Sequence, residues 1–338
     1  MIRSILLSSI LVISCGFAAE EPGGPLSVDQ AVENGLRALV KMQLPDGNFS
    51  EGTGITALAG MALLAGGHTP TRGLYREASA KALRAVIARQ AKDSGYLGGD
   101  MGNMYAHGFA TLYLAECYGM APEVPVRRAL EGALDLIHYA QNKEGGWRYS
   151  PSPTDADISV TICQVMALRA AYNVGVGGRA SEDALRKAID YVRRCGNGNG
   201  SFGYQASNGG EGWGTVGAEG VPRTAAGTMC LIGAGVNDLK DRQLGPALLF
   251  LRKHVAAHLK SGDGYFWYGQ YYASQALFHS PEEKDWEAYW KEAAPVIVKR
   301  QTKDGQWMQG EGPGPVYATS MALIILQIPN NYLPIFQR

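Results

Sequence analysis

The sequence predicts an all-α fold, an α/α toroid in which six helical hairpins form a closed ring. Three observations predict it: a short signature recurs six times, an amphipathic helix precedes each copy, and a more apolar helix follows it. The chain has 338 residues, of which 46% are hydrophobic. A ring of repeats lets one domain reach this size without dividing into two.

The repeated signature reads Gln-x-x-acid-Gly-x-aromatic. Four clear copies span residues 43–49, 90–96, 141–147 and 301–307, and end at Phe49, Tyr96, Trp147 and Trp307. Two degenerate copies, 199–202 and 263–266, end at Phe202 and Phe266. We expect the glycine to end the preceding helix in the left-handed conformation, and the glutamine to donate to carbonyls at a helix end. The aromatic residue should anchor each hairpin to its neighbour.

Helical periodicity predicts two helices for each copy of the signature. The outer helices carry a charged face and are predicted over 28–42, 73–90, 126–141, 182–194, 241–258 and 284–301. Ser27 and Gln30 form a capping box at the start of the first. The inner helices lack a charged face, should line the ring, and are predicted over 54–65, 105–119, 157–173, 223–235, 267–279 and 316–327.

Residues 1–19 have the pattern of a secretory signal, with Arg3 before an apolar stretch over 5–13. Two cleavage sites are open. One is a lipoprotein box ending at Cys15, which would attach the protein to a membrane by a lipid. The other is the ordinary small-x-small site over 16–18. Either predicts an exported protein, periplasmic or secreted, with residues 20–338 forming a single toroid.

The composition restricts the class of partner. Lys and Arg number 31, as do Asp and Glu, and no basic run occurs, which excludes nucleic acid as a partner. The sequence indicates no particular protein partner. The cysteines beyond Cys15 show no Cys-x-x-Cys spacing, and three lie in apolar helical stretches, so we expect buried thiols. No cofactor is predicted.

The copies over 141–147 and 301–307 resemble the Gln/Trp repeats of the squalene–hopene cyclase and protein prenyltransferase β-subunit superfamily. The resemblance covers essentially the whole chain after residue 19 and implies a terpenoid cyclase-like toroid. Squalene–hopene cyclases have two such barrels in tandem, whereas this chain has length for one. It is closer to single-barrel bacterial proteins with the prenyltransferase and squalene oxidase repeat.

The resemblance also implies a site at the start of the third inner helix. The cyclases have an Asp-x-Asp-Asp motif there, whose middle Asp protonates the isoprenoid. Asp155 and Asp157 match its first two acids, and Ile158 replaces the third, so Asp157 is the candidate acid with Asp155 in support. Prenyltransferases have a zinc-binding Asp-x-Cys pair there. Ser159 replaces that cysteine and no histidine follows over 223–228, so no metal site is predicted.

A purely structural role for Asp157 is the alternative. Aspartate favours helix N-termini because its oxygens accept unpaired backbone N–H groups and its charge suits the helix dipole. Thr154 and Asp157 also match a capping box.

Further candidates for ligand contact lie where inner helices begin. They are Tyr105, His107, Ser159, Trp267, Tyr268 and Tyr271. Aromatic faces suit an apolar or cationic ligand. The alternatives are core packing for the aromatic residues and a buried structural role for His107.

Three functions remain open from the sequence. The first is a terpenoid cyclase-like protein that binds or acts on an isoprenoid or other apolar ligand in a cavity at the inner-helix N-termini. The second is a non-catalytic scaffold that binds a lipid, glycan or protein. The third is a toroidal polysaccharide lyase or hydrolase. It ranks last because the sequence shows no obvious arginine–carboxylate cluster.

Overall fold

The computed structural model describes residues 26–49, 52–99, 103–206, 217–261, 265–309 and 313–337. The six outer helices are α1 Val28–Lys41, α3 Arg76–Ala88, α5 Val124–Ala140, α7 Gly178–Arg194, α9 Leu244–Ser261 and α11 Glu283–Lys299. The six inner helices are α2 Thr53–Ala65, α4 Met104–Met120, α6 Ile158–Asn173, α8 Val221–Gly233, α10 Phe266–Phe278 and α12 Pro315–Leu326. Short 3-10 helices cover Gly217–Gly220, Ile328–Asn330 and Pro334–Phe336.

The helices form two concentric rings. Each inner helix packs against the next inner helix, and α12 packs against α2, so the inner ring is closed. Inner-helix residues are almost all buried, whereas each outer helix exposes one face. The all-helical toroid predicted from the repeats is therefore confirmed, with helix ends within a few residues of the predicted ones. Within the described part of the chain, no helix combines the length and apolar character needed to cross a membrane.

The signature glutamines join neighbouring hairpins. In each clear copy, the side-chain Nε2 donates both to the carbonyl of the turn glycine and to an alanine carbonyl in the next outer helix. The donor–acceptor pairs across hairpins are Gln43–Ala78, Gln90–Ala129, Gln141–Ala184 and Gln301–Ala31. These alanine acceptors lie inside the next outer helix. The sequence had led us to expect acceptors at a helix end instead.

The signature glycines lie in the turn beyond the helix, which corrects their predicted role as the helix end. Helix α11 ends at Lys299 with Arg300 as its C-cap, and Gly305 follows with φ of +81°. A Cβ added to Gly305 would lie 2.7 Å from the carbonyl oxygen of Asn34, in the next outer helix. Glycine is therefore required twice, for its left-handed backbone and for the close approach.

The degenerate copy over 199–202, the fourth in chain order, makes the same junction with the two partners exchanged. Gly196 stands where the other copies have glutamine, and Gln243 stands where they have the acceptor alanine. The Nε2 of Gln243 reaches back and donates to the carbonyl of Arg193 at 2.6 Å. A Cβ on Gly196 would collide with that same Nε2. The residue before α9 is thus still joined to the end of α7, although the signature is lost.

The aromatic anchors are buried as predicted, except in the second copy. Trp147 and Trp307 are 0% exposed, and each indole N–H donates at 2.7 Å to a carbonyl of the preceding outer helix. The second copy has one extra residue before its glycine, Gly95. Leu97, fully buried, therefore takes the anchor position, and the prediction of Tyr96 was wrong.

The C-terminal segment covers the end of the ring at which the inner helices finish. The 3-10 helix Pro334–Phe336 packs on α4 and α6. The backbone N–H of Ile335 donates to Glu116 Oε2 at 3.3 Å. The candidate site is therefore at the opposite end, where the inner helices begin. The predicted signal, including Cys15, lies outside the described residues.

Candidate functional site

Two loops place side chains over the start of the inner helices. The carbonyl of Tyr149 accepts from Met104 N–H at 3.0 Å, and the carbonyl of Tyr204 accepts from Ile158 N–H at 2.9 Å. Each loop thereby satisfies a backbone donor that a helix N-terminus leaves unpaired. We call the resulting cluster the mouth. It consists of Tyr105, Arg148, Tyr149, Asp155, Asp157, Ser159, Tyr204 and Tyr268.

Asp157 is the N-cap of α6. Its Oδ1 accepts from the backbone N–H groups of Ser159 at 2.8 Å and Val160 at 2.9 Å. The capping role considered from the sequence is therefore present. The capping box with Thr154 as N-cap is wrong, since Asp157 itself holds that position.

The second oxygen of Asp157 is the distinctive feature of the mouth. Oδ2 accepts no hydrogen bond from the described residues, although the side chain is 0% exposed. The Nε of Arg148 is 3.8 Å away, too far for a hydrogen bond. Burial raises the pKa of Asp157 to about 6, against the opposing effects of the capping N–H groups, of the Arg148 charge and of the nearby Tyr204 hydroxyl, which does not reach hydrogen-bond geometry with Oδ2. Near this pH the group can hold a proton on Oδ2 or lose it.

Arg148 is held by the exposed acid. Its Nη1 donates to Asp155 Oδ2 at 2.6 Å. The guanidinium carbon lies 5.1 Å from the ring centre of Tyr149 and 5.5 Å from that of Tyr204. The hydroxyls of these two tyrosines bond to each other. The arginine is thus enclosed by two aromatic faces and a carboxylate.

Tyrosines continue from the mouth into the ring. The Tyr268 hydroxyl donates to the Ser159 carbonyl at 3.3 Å, and its ring lies 4.9 Å from that of Tyr272. Tyr272 contacts Tyr271, which contacts Phe109. Tyr271 and Tyr272 are only 1% exposed. The interior below the mouth is therefore occupied by side chains, so the predicted cavity does not extend into the ring at this point.

Three predicted ligand contacts lie apart from the mouth. His107 accepts from Leu97 N–H at Nδ1 and contacts the Ala133 carbonyl at Nε2, so backbone groups occupy both nitrogens. Burial lowers its pKa to about 4, which keeps the ring neutral. Trp267 donates its indole N–H to Met308 at 3.1 Å, and Tyr271 lies deep in the ring. We leave these three out of the candidate site.

The structure adds residues that the sequence analysis did not select. Arg148, Tyr149 and Tyr204 complete the mouth, and Arg148 with Asp155 and Asp157 forms the arginine–carboxylate cluster that was not apparent in the sequence. A spacing signal exists: Tyr149 and Tyr204 each follow a buried anchor, Trp147 or Phe202, by two residues. Among the described residues, no group of His, Cys, Asp and Glu side chains could hold a metal ion.

Comparison with known proteins identifies the class through the fold. No family model and no curated relative matches the chain. The type II terpene cyclase MstE from Scytonema is 14% identical, with 90% of this chain and 98% of that chain covered and a TM-score of 0.60. An α-1,6-mannanase from Salegentibacter sp. HEL1_6 is 9% identical, with 90% and 100% covered and a TM-score of 0.66. Cellobiose 2-epimerase from Spirochaeta thermophila is 14% identical, with 89% and 96% covered and a TM-score of 0.64.

The protein therefore belongs to the α/α toroid class by its fold. Identities of 9–14% show the shared architecture and no more. The matched proteins carry out different reactions on this scaffold, so function has to be argued from the mouth itself.

Proposed function

We propose that the protein binds an isoprenoid or similarly apolar ligand at the mouth, with Asp157 as the polar group that contacts it. The observation that carries the proposal is Asp157 Oδ2, a buried carboxyl oxygen that accepts no hydrogen bond from the described residues and lies near Tyr105, Tyr204 and Tyr268. A buried polar atom left unpaired costs free energy, and a ligand that pairs it recovers that cost.

The surroundings favour a ligand that is mostly apolar. Tyr105 and Tyr268 are half-buried on α4 and α10, and each is close enough to Asp157 to interact with its charge. One matched MstE structure contains geranylgeranyl dihydroxybenzoate, and one matched mannanase structure contains α-1,6-mannotriose. The tyrosine-lined mouth is closer in character to the first kind of ligand.

Binding is better supported than cyclisation. Protonating an alkene requires a strongly poised acid, with neighbours that stabilise the carboxylate left behind. Ile158 stands where the cyclase motif has its third acid, and it is fully buried. A carboxyl with a pKa of about 6 is better suited to hydrogen bonding with a ligand oxygen than to alkene protonation. A cyclase-like reaction is therefore an outcome to be tested.

Calorimetric titration with farnesol, geranylgeraniol, mannotriose and cellobiose tests the proposal. We expect saturable binding of the two isoprenoid alcohols and none of the two oligosaccharides. Mass spectrometry of the incubated alcohols would show turnover as a product of unchanged mass and altered retention. Oligosaccharide binding without isoprenoid binding would contradict the proposal and favour the glycan alternative.

A further inference from the structure

Asp155 is exposed, yet its carboxylate is held in a fixed orientation. Its Oδ1 accepts from Ala156 N–H at 2.8 Å and from Gln205 Nε2 at 3.3 Å. Its Oδ2 accepts a hydrogen bond from Nη1 of Arg148 at 2.6 Å. The same guanidinium therefore makes a close ion pair with the outer acid and only a long contact, 3.8 Å, with the inner one.

We propose that Asp155 is a positioning residue that holds the Arg148 guanidinium away from Asp157, leaving Asp157 Oδ2 available to a ligand. This inference rests on the function proposed above. Tyr149 and Tyr204 support the arrangement because their rings flank the guanidinium from the loop side.

Among the described residues, the remaining groups around Asp157 do not offer it a cation comparable to Arg148. Those facing it or its immediate neighbours are Tyr105 of α4, Cys163 of α6, Tyr191 of α7, Cys195 directly after α7, Arg223 of α8, Tyr268 of α10 and Tyr204 of the loop. Burial raises the pKa of each of these tyrosines and thiols, which keeps them neutral. Arg223 lies beside Tyr204 and Tyr268. Burial and the two capping N–H groups have larger effects on the pKa of Asp157, but Arg148 is the charged side chain that acts on it, and Asp155 holds Arg148.

Removing the charge of Asp155 should change the position of Arg148 between the two acids. Arg148 would lose its 2.6 Å partner and approach Asp157 Oδ2, and an approach of about 1 Å would make a full ion pair. A guanidinium in contact with a carboxylate lowers the carboxyl pKa by about 1–3. Oδ2 would then be both ionised and occupied.

The test measures the pKa of Asp157 by carboxyl ¹³C NMR in protein labelled at aspartate, with the signal assigned from Asp157→Asn. We expect Asp155→Asn to lower this pKa by about 1 pH unit. Arg148→Gln should raise it. In a protein that already carries Arg148→Gln, the further change Asp155→Asn should shift the pKa of Asp157 by less than half of the shift that it causes in the native protein.

The outcomes separate the two proposals. An unchanged or raised pKa in Asp155→Asn overturns the positioning role, as does an equal change in both backgrounds, because Arg148 would then not transmit the effect. Farnesol binding is scored separately. If the pKa changes as expected but no isoprenoid binds, the proposed function fails and the positioning of Arg148 stands. Circular dichroism confirms the fold, and Asp155→Asn keeps the shape of an exposed side chain.

Discussion

The side-chain amide of Gln301 donates a 2.8 Å hydrogen bond to the carbonyl oxygen of Ala31, joining the sixth helix pair to the first. Gln43, Gln90 and Gln141 make the same bond at three earlier junctions. The bond that closes the ring is thus chemically the same as the bonds within it. This equivalence predicts equal sensitivity at positions far apart in the sequence.

Gln301→Ala should lower the free energy of unfolding by about 1–3 kcal/mol, since it removes two partly buried hydrogen bonds. Gln141→Ala should cost a similar amount because it removes the corresponding pair. Urea denaturation measures both. Gln337→Ala, at an exposed position, is the control and should change little. A loss at Gln141 without one at Gln301 would mean that the ring is not closed in solution.

Gly305→Ala should destabilise the protein by more than Gly175→Ala. Both glycines have similar positive φ angles, +81° and +74°, so the cost of backbone strain is shared. Only Gly305 places its Cα against a neighbouring carbonyl, since nothing lies within 4 Å of a Cβ added at Gly175. We expect about 1 kcal/mol for Gly175→Ala and at least twice that for Gly305→Ala, measured by thermal and urea unfolding. Equal losses of stability in the two variants would show that the close approach at Gly305 does not require glycine.

Trp147→Ala should cost about 3–5 kcal/mol, the range for truncating a large buried aromatic side chain. Trp147→Phe should cost less, because it keeps most of the packing and loses chiefly the 2.7 Å bond to the Ile137 carbonyl. Denaturant midpoints distinguish the two. If both variants unfold like the native protein, Trp147 is not an anchor.

Glu116 should make the protein less stable as pH rises from 6 to 8. The side chain is fully buried, and burial raises its pKa from 4.5 to about 8. The folded state therefore holds a proton that the unfolded state releases, and this stabilisation is complete below pH 4.5 and is lost as pH rises through 8. The slope is at most about 1.4 kcal/mol per pH unit. The corresponding loss from Asp157 is largely complete by pH 6.

Glu116→Gln should flatten that dependence in melting experiments at pH 6, 7 and 8, because the amide oxygen can still accept from Ile335 and no charge can form. A native protein whose melting temperature is constant over this range would show that Glu116 does not titrate there.

Most of the fold could be predicted from the repeated signature. Its spacing predicted the helix pairs because each copy contains the parts of one junction: a donor, a turn glycine and an anchor. The fourth copy could not be understood in this way, since Gly196 and Gln243 lie far apart in sequence and compensate only in three dimensions. The extra residue before Gly95 likewise shifted the anchor to Leu97, which a search for aromatic residues overlooks.

The candidate site was predicted in part. Asp155, Asp157, Ser159, Tyr105 and Tyr268 meet at the mouth because inner-helix starts share one end of the ring. Arg148, Tyr149 and Tyr204 come from loops, whose paths helical periodicity does not determine. The separation of His107 from the mouth also depended on structure. Its ring takes the position in which Thr56, Thr161 and Thr319 accept from the anchor backbone in other copies.

The central claim is that Asp157 contacts a ligand, and Asp241 provides its matched control. Asp241 Oδ1 likewise accepts two backbone N–H groups, from Gln243 and Leu244, but its Oδ2 is paired with Arg193 at 2.7 Å. Hydrogen bonding from Arg193 lowers the pKa of Asp241 to about 2, whereas burial raises that of Asp157 to about 6. The two acids share a capping geometry and differ in whether a described residue donates a hydrogen bond to the second oxygen.

Farnesol titration of Asp157→Asn and Asp241→Asn at pH 6, alongside melting curves, is therefore the most direct measurement. We expect Asp157→Asn to bind farnesol at least about tenfold more weakly, about 1.4 kcal/mol, with little change in melting temperature because asparagine still caps α6. Asp241→Asn should bind like the native protein and melt earlier. Native farnesol affinity in Asp157→Asn, together with a loss of stability, would show that Asp157 is only a helix cap and would contradict the account.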